Sequence, residues 1–403
     1  MGMLHGRRVL LGVTGSVAAY KACDFVRRLQ EAGCEVRVVM TAAACEFVAP
    51  LSFQALSGFP VRSAVFDAQA EAGMDHISLA RWAEVIVIAP ASANFIARLA
   101  HGLADDLLST LCLARLVQTP LCVAPAMNHG MWLNAATQEN VSTLRRRGVF
   151  VLGPGQGVQA CGEVGEGRLL EIPVLLGALE QCVGPWPLRG RRVVLTAGPT
   201  REALDPVRYV GNRSSGRMGY ALAQAAACRG AEVVLVSGPC ALAVPYGVRH
   251  VAVESAAQMR EAVLAEVGGC DVFIGAAAVA DYRAAAVAAQ KLKKGADDWC
   301  VSLVRNPDIL AEVAALGVGR PFVVGFAAET GRLVELARDK LVRKGLDMIA
   351  ANDVSEGQGF DVADNALSVL WGDGGVDLPR QSKEALAHAL LDVIVARYLA
   401  KGC

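Results

Sequence analysis

Two sets of residues in this chain have side chains suited to moving protons, holding anions or neutralising charge. In the first half they are His76, Asn128 and Cys161; in the second they are Asp281 and Lys291. An imidazole titrates near neutrality and can act as a base. His76 can work with Asn128 only if both face one crevice, and on sequence alone His101 and His129 compete with it. A thiol on a polar loop is a candidate proton donor. Cys161 stands in such a loop, GPGQGVQACGEVGEGR at 153–168. That stretch has neither helical nor strand patterning, so we expect a mobile lid there. Asp281 closes the run AAAVADY (276–282) with a tyrosine, and Lys291, Lys293 and Lys294 follow it. Such lysines can simply be solvated. Beside an aspartate at a strand end they can instead neutralise a triphosphate and its metal.

The elements that must position these groups come in two similar openings. GRRVLLGVTGSVAAYK (6–21) and GRRVVLTAGPT (190–200) each place a basic pair before a short apolar strand and a Gly/Ser/Thr loop. A loop of this kind aims backbone N–H groups and a helix N-terminus at an anion. The first loop has GxxGxxA spacing from Gly12 to Ala18, with Gly15 and Ser16 inside it, and its second strand ends in Met40 and Thr41. A dinucleotide site would have an acidic residue there, so a mononucleotide phosphate suits this loop better than NAD. Ser92, Asn94 and Asn128 lie in loops after further expected strands, where α/β sheets hold their ligands. Each can also serve as a helix cap or turn residue. The second loop, Gly211 to Met218, has P-loop glycine spacing, but Arg217 and Met218 replace the Lys-Ser/Thr pair. It is no Walker motif, yet its backbone, Ser214 and Ser215 can cradle an anion. Arg201, Arg208, Arg213 and Arg217 add positive charge. Phe326 can pack on a base or fill the core. Lys340 and Lys344, four apart on an expected helix, share one face.

Short β-branched runs alternate with helical stretches throughout the 403 residues, which predicts an α/β fold with doubly wound, Rossmann-like domains. Strands are expected at 9–13, 36–40, 85–89, 121–124 and 149–152, then at 192–196, 232–236, 271–275 and 322–325. A small hairpin is expected at 366–379 and a closing helix from Lys383 to Leu399. The Pro/Gly segment 183–190 separates a domain over 1–183 from one over 190–403. Apolar residues make up 54% and charged residues 19%, the balance of a compact protein, and the net charge is zero. That balance argues against a broad nucleic-acid or membrane surface. The twelve cysteines form no CxxC pair and read as reduced cytoplasmic thiols. No apolar stretch is long enough to span a bilayer.

GSVAAYK, the His76 segment, APASANFIARLAHGLADDLL, PAMNHGMW and ACGEVGEGR together resemble phosphopantothenoylcysteine decarboxylase, one of the flavin-containing cysteine decarboxylases, over about the first 180 residues. The resemblance implies a flavodoxin-like domain in which FMN supplies the electron sink for losing the carboxylate. It implies His76 as base, Asn128 as carboxylate holder and Cys161 as proton donor. Gly15, Ser16, Thr41, Ser92 and Asn94 would lie near the flavin.

GNRSSGRMG, AAVADY, KLKK, NPDI and GFAAET resemble phosphopantothenate–cysteine ligase over roughly 190–400, with Arg217 where a lysine is common. This implies that 4'-phosphopantothenate is activated by CTP, with Mg2+, as an acyl-cytidylate and then coupled to cysteine. Lys291 would stabilise charge as the cytidylate forms, and Asn212 would act in its conversion to the amide. Ala277, Asp281, Asn306, Pro307, Asp308, Ile309, Phe326, Lys340 and Lys344 would contact CTP, with Asp281 also toward the metal. Together the resemblances imply a bifunctional enzyme of coenzyme A synthesis. They further imply a cytoplasmic homo-oligomer, a dodecamer of trimers and dimers, with small-molecule substrates and no nucleic-acid or membrane partner. The alternatives are a two-domain NAD(P)- or flavin-dependent oxidoreductase, which lacks a convincing ribose reader here, and a non-catalytic flavin-binding homologue, which would be expected to lose His76 or the lysines.

Overall fold

A computed structural model describes residues 2–64, 75–293, 299–329, 331–353 and 364–402. Met74, Lys294 and Thr330, within motifs named above, lie outside the described residues. The chain divides into two compact units, Gly2–Gly184 and Pro185–Cys403.

In the first unit the strands are β1 (Arg8–Val13), β2 (Glu35–Met40), β3 (Val85–Ala91), β4 (Leu121–Pro125) and β5 (Phe150–Val151). They form one parallel sheet in the order β2-β1-β3-β4-β5, the flavodoxin-like winding. Successive side chains of a strand point to opposite faces, so a strand covered on both faces must be apolar throughout. β3 and β4 meet that condition, with every residue buried. Helices supply the cover. Lys21–Glu31 buries Ala22, Phe25, Val26 and Leu29, one stripe at helical spacing.

The expected structureless lid is instead an antiparallel hairpin, β6 (Gly155–Val158) with β7 (Val164–Arg168). Gly155, Gly157, Gly165 and Gly167 occupy strand positions and leave no side-chain alternation to read. The ladder is made by the backbone alone. Gly167 also has φ +132°, and a Cβ there would run into the Met127 carbonyl.

The second unit contains β8 (Arg192–Ala197), β9 (Arg201–Ala203), β10 (Tyr209–Gly211), β11 (Glu232–Ser237), β12 (Arg249–Ala252), β13 (Val272–Gly275), β14 (Tyr282–Ala284), β15 (Leu303–Arg305), β16 (Phe322–Glu329), β17 (Met348–Asp353), β18 (Asp364–Trp371) and β19 (Gly374–Ser382). Its eight-stranded sheet runs β12-β11-β8-β13-β16-β17-β18-β19. The first six strands are parallel and follow the Rossmann order; β18 and β19 add an antiparallel hairpin. β9 pairs with β10 and β14 with β15 as small ladders. The sequence reading missed β12 and β17. β12 is a largely exposed edge strand without an apolar run, and β17 carries two alanines of weak strand preference. No helix among the described residues is long and apolar enough to cross a membrane.

The closing helix Lys383–Ala400 buries Leu386, Leu390, Ile394 and Tyr398. It also brings His388 against the buried Arg229, whose Nη1 lies 3.2 Å from the ring and whose Nη2 donates to Asp392 at 2.7 Å. Burial, reinforced by the Arg229 guanidinium, pushes the His388 imidazole down to about 4 from an ordinary 6.5. Between those values the unfolded chain binds a proton that the folded chain refuses. Stability therefore falls as pH drops from 6.5 and the loss is complete below about 4. The full effect is on the order of 3 kcal/mol. Urea unfolding at pH 7 and pH 4.5 should show this loss, and His388→Asn should reduce the difference between the two.

Candidate active sites

Four of the polar residues singled out at strand ends are helix caps. Ser16, Thr41, Ser92 and Asn128 accept backbone N–H bonds from Ala18, Ala44, Phe95 and Gly130 respectively. Capping is worth about 1 kcal/mol each and accounts for the residue types by itself. Convergence is a separate matter, and the fold decides it. Gly15, Ser16, Ser92, Asn128 and Cys161 line one cavity of about 640 Å³ at the carboxyl ends of β1, β3 and β4, under the hairpin. That size suits a small-molecule or cofactor site. Thr41, Asn94 and the half-buried His76, on the helix Asp75–Trp82, do not line it. Thr41 supports the loop from behind: its N–H donates to Val13, and a Cβ on Gly15 would lie 2.6 Å from that of Ala43. Lys21 and Arg168 also line the cavity, each 3.1 Å from Glu171.

The hairpin is docked on the loop after β4. The Met127 N–H donates to the Gly167 carbonyl at 2.9 Å, and Trp132 Nε1 donates to the Glu166 carboxylate at 3.1 Å. Asn128 Nδ2 sits 3.3 Å from Gln159 Oε1, 3.4 Å from Cys161 Sγ and 2.6 Å from Glu163 Oε2. Gln159 further accepts from the His129 N–H and donates to the Glu166 carbonyl. Sequence reasoning missed Gln159 and Glu163. Their signal was placement, two polar side chains flanking Cys161 in a stretch otherwise dominated by glycine.

In the second unit, Ala277, Asp281, Asn306, Pro307, Asp308, Ile309, Phe326, Lys340 and Lys344 all line one cavity of about 770 Å³. A second cavity of about 560 Å³ shares Ala277, Val279, Asp281, Phe326 and Lys340 with it and extends to Asn212 and the 213–217 loop. Hydrogen bonds fix these loops to one another. Asn212 Nδ2 donates to the Val279 carbonyl at 2.9 Å, and the Ala277 N–H donates to Thr196 Oγ1 at 3.2 Å. Asn306 Nδ2 donates to the Ala280 carbonyl at 2.8 Å, while its Oδ1 accepts from Arg283 at 3.0 Å. The two lysines on the helix Leu333–Arg343 and its cap already have protein partners. Lys340 donates to the Phe326 carbonyl at 3.0 Å, and Lys344 pairs with Asp308 at 2.6 Å. Burial raises the Asp308 pKa, but Lys344, the Ala311 N–H and Lys340 outweigh it, and the carboxyl ends below its ordinary value.

Lys291 is exposed and lines neither cavity. Its segment is held from a distance. Asp205, buried, accepts from the Leu292 N–H at 3.2 Å and from Arg208 Nε at 2.9 Å, and Arg208 Nη2 donates to the Leu292 carbonyl at 2.8 Å. Both backbone groups of the residue after Lys291 are thus captured by one ion pair. The Arg208 bonds hold the Asp205 carboxyl well below the usual carboxylate range. Asp205→Asn weakens that pair and should loosen the segment that carries Lys291, read as faster amide hydrogen exchange at Leu292 in the full-length protein.

Among the described residues no three His, Cys, Asp or Glu side chains gather as a metal site, and the eleven described cysteines are free.

A family model described as "Flavoprotein" matches residues 1–184, and one described as "DNA/pantothenate metabolism flavoprotein C-terminal domain" matches 188–398. The chain is 53% identical over 397 residues to the coenzyme A biosynthesis bifunctional protein CoaBC of Vibrio vulnificus, with 98% of each chain covered. It is 51% identical over 400 residues to the Escherichia coli protein of the same name, again with 98% of each covered. A crystal structure of the C-terminal domain of a CoaBC protein matches 53% of this chain and 97% of its own at 41% identity, with a TM-score of 0.46.

Proposed function

This chain belongs to the family of coenzyme A biosynthesis bifunctional proteins, and from that membership we propose how its residues divide the work. It is a bifunctional enzyme of coenzyme A synthesis, with a decarboxylase and a ligase activity. The oxidoreductase alternative is not favoured, since both halves match this family in order.

The ligase reaction is proposed for the second unit, residues 190–403. A carboxylate oxygen of 4'-phosphopantothenate attacks the α-phosphorus of CTP, and pyrophosphate leaves. The cysteine amine then attacks the acyl carbon, and CMP leaves. Lys291 neutralises charge in the first step. Asn212, held against Val279, positions the acyl-cytidylate for the second. With no carboxylate cluster among the described residues, Mg2+ is proposed to arrive on the triphosphate and to meet Asp281.

The decarboxylation is proposed for the first unit, residues 1–183. The cavity's size and its glycine- and serine-lined floor fit a flavin mononucleotide, held by Gly15, Ser16 and Ser92 with Thr41 and Asn94 behind. Bound there, FMN would supply the electron sink that a carboxylate beside nitrogen lacks. Asn128 orients the carboxylate, and Cys161 delivers a proton to the decarboxylated carbon. The observation that supports this division is the meeting of Asn128 and Cys161, 33 residues apart, at 3.4 Å on the wall of that cavity. His76 is proposed as base by way of a neighbouring copy in a homo-oligomer, a dodecamer of trimers and dimers. A cytoplasmic setting accords with reduced thiols.

The test is to incubate the purified protein with phosphopantothenate, cysteine, CTP and Mg2+ and to identify products by mass spectrometry. Phosphopantetheine with released pyrophosphate is expected. Phosphopantothenoylcysteine that accumulates would reject the role of the first unit. No product at all would reject both.

A further inference from the structure

Asn128 has one amide to offer a ligand, and a group of the protein already occupies it. Its Oδ1 accepts from the Gly130 N–H at 2.8 Å to cap the following helix, so only Nδ2 can donate to a carboxylate. The shortest contact of Nδ2 is Glu163 Oε2 at 2.6 Å, the length of a charge-assisted bond. Its other oxygen partner, Gln159 Oε1, is longer at 3.3 Å and also accepts from the His129 N–H at 2.9 Å. Glu163 is exposed, and no lysine or arginine among the described residues pairs with it. Glu166 on the same hairpin is instead committed to the Trp132 indole.

We infer that Glu163 is a built-in competitor for the carboxylate subsite. Its carboxylate sits on the Asn128 amide and must be displaced by the carboxylate of the substrate, and this exchange frees the hairpin tip that carries Cys161. The inference rests on the proposed reading of Asn128 as carboxylate holder. Nδ2 has two N–H groups to serve three partners, Glu163, Gln159 and Cys161, so none is spare for a ligand. Two ionised carboxylates on the same amide nitrogen also repel each other. Substrate entry and release of Glu163 are therefore one event. The consequence is discrimination: a ligand that lacks the carboxylate does not compete with Glu163, whereas phosphopantothenoylcysteine does.

The experiment compares the full-length holoenzyme with its Glu163→Ala, Glu163→Gln and Asn128→Ala variants. The readouts are KM for phosphopantothenoylcysteine and the inhibition constant of phosphopantetheine, the same molecule without its carboxylate. Glu163→Ala should lower KM about fivefold, the scale of one solvent-exposed hydrogen bond net of solvation. It should leave the phosphopantetheine constant unchanged, with Glu163→Gln between wild type and Ala. Alkylation of Cys161 by iodoacetamide should also quicken in Glu163→Ala. A KM that does not fall, or that falls in step with the phosphopantetheine constant, overturns the inference. Asn128→Ala separates the two ideas. If it raises KM for the carboxylate ligand alone while Glu163→Ala changes nothing, the reading of Asn128 stands and the competitor does not. If Asn128→Ala leaves the discrimination intact, both fall.

Discussion

Lys291→Gln is expected to abolish ligation and to leave decarboxylation of supplied phosphopantothenoylcysteine at its normal rate. Glutamine keeps most of the length of the lysine and loses its charge. The proposed step builds negative charge around the α-phosphorus, where a preorganised positive group contributes most. Removing one such group from a transition state lowers kcat about 100- to 1,000-fold. Lys291 lines neither cavity of the second unit, so its proposed role requires it to reach the nucleotide from outside them. The Asp205–Arg208 clamp on Leu292 fixes the backbone next to it. The measurement is pyrophosphate release from phosphopantothenate and CTP without cysteine, which isolates the first step. Release within tenfold of wild type would remove Lys291 from that step.

Much of this was legible because strands buried on both faces write themselves as continuous apolar runs. β1, β3, β4, β8, β11 and β13 stand in the sequence within one or two residues of their observed ends. The cavity-lining loops of the second unit were also readable, since a strand end followed by a loop is where an α/β sheet keeps its ligands. Other features had no local signature. The hairpin of β6 and β7 is built of glycines, which carry no periodicity, and Gly167 is required by the approach of Met127 from a different loop. The anchoring of Leu292 depends on Asp205, 87 residues earlier, and no spacing rule reaches that far. Cap duty and site duty also use the same residue types. Ser16, Ser92 and Asn128 perform the first and line the cavity, whereas Thr41 performs only the first. Sequence identifies such residues as polar groups at strand ends, and only packing distinguishes between them.

Cys161→Ser should stop phosphopantetheine formation while leaving substrate binding and ligation intact. The hydroxyl is close in size to the thiol, and Asn128 Nδ2, 3.4 Å from Sγ, can donate to either. The bonds that dock the hairpin through Met127, Gln159 and Glu166 are made by other atoms, and Sγ adds only a long 4.0 Å contact to Gln159 Oε1. What changes is acidity. A thiol ionises near pH 8.5 and gives up its proton readily, and a hydroxyl is a far weaker acid. Loss of a positioned proton donor costs about 100- to 10,000-fold. Because the proposed proton transfer follows loss of the carboxylate, the block falls after that loss. The variant should release about one equivalent of CO2 per active site in a single turnover and then stall, with no phosphopantetheine formed. Labelled carboxylate in the substrate and mass spectrometry of the product separate the two events. If no CO2 is released, Cys161 acts earlier than proposed. If phosphopantetheine forms within tenfold of the normal rate, another group supplies the proton, and the hairpin serves only to close the cavity over the substrate.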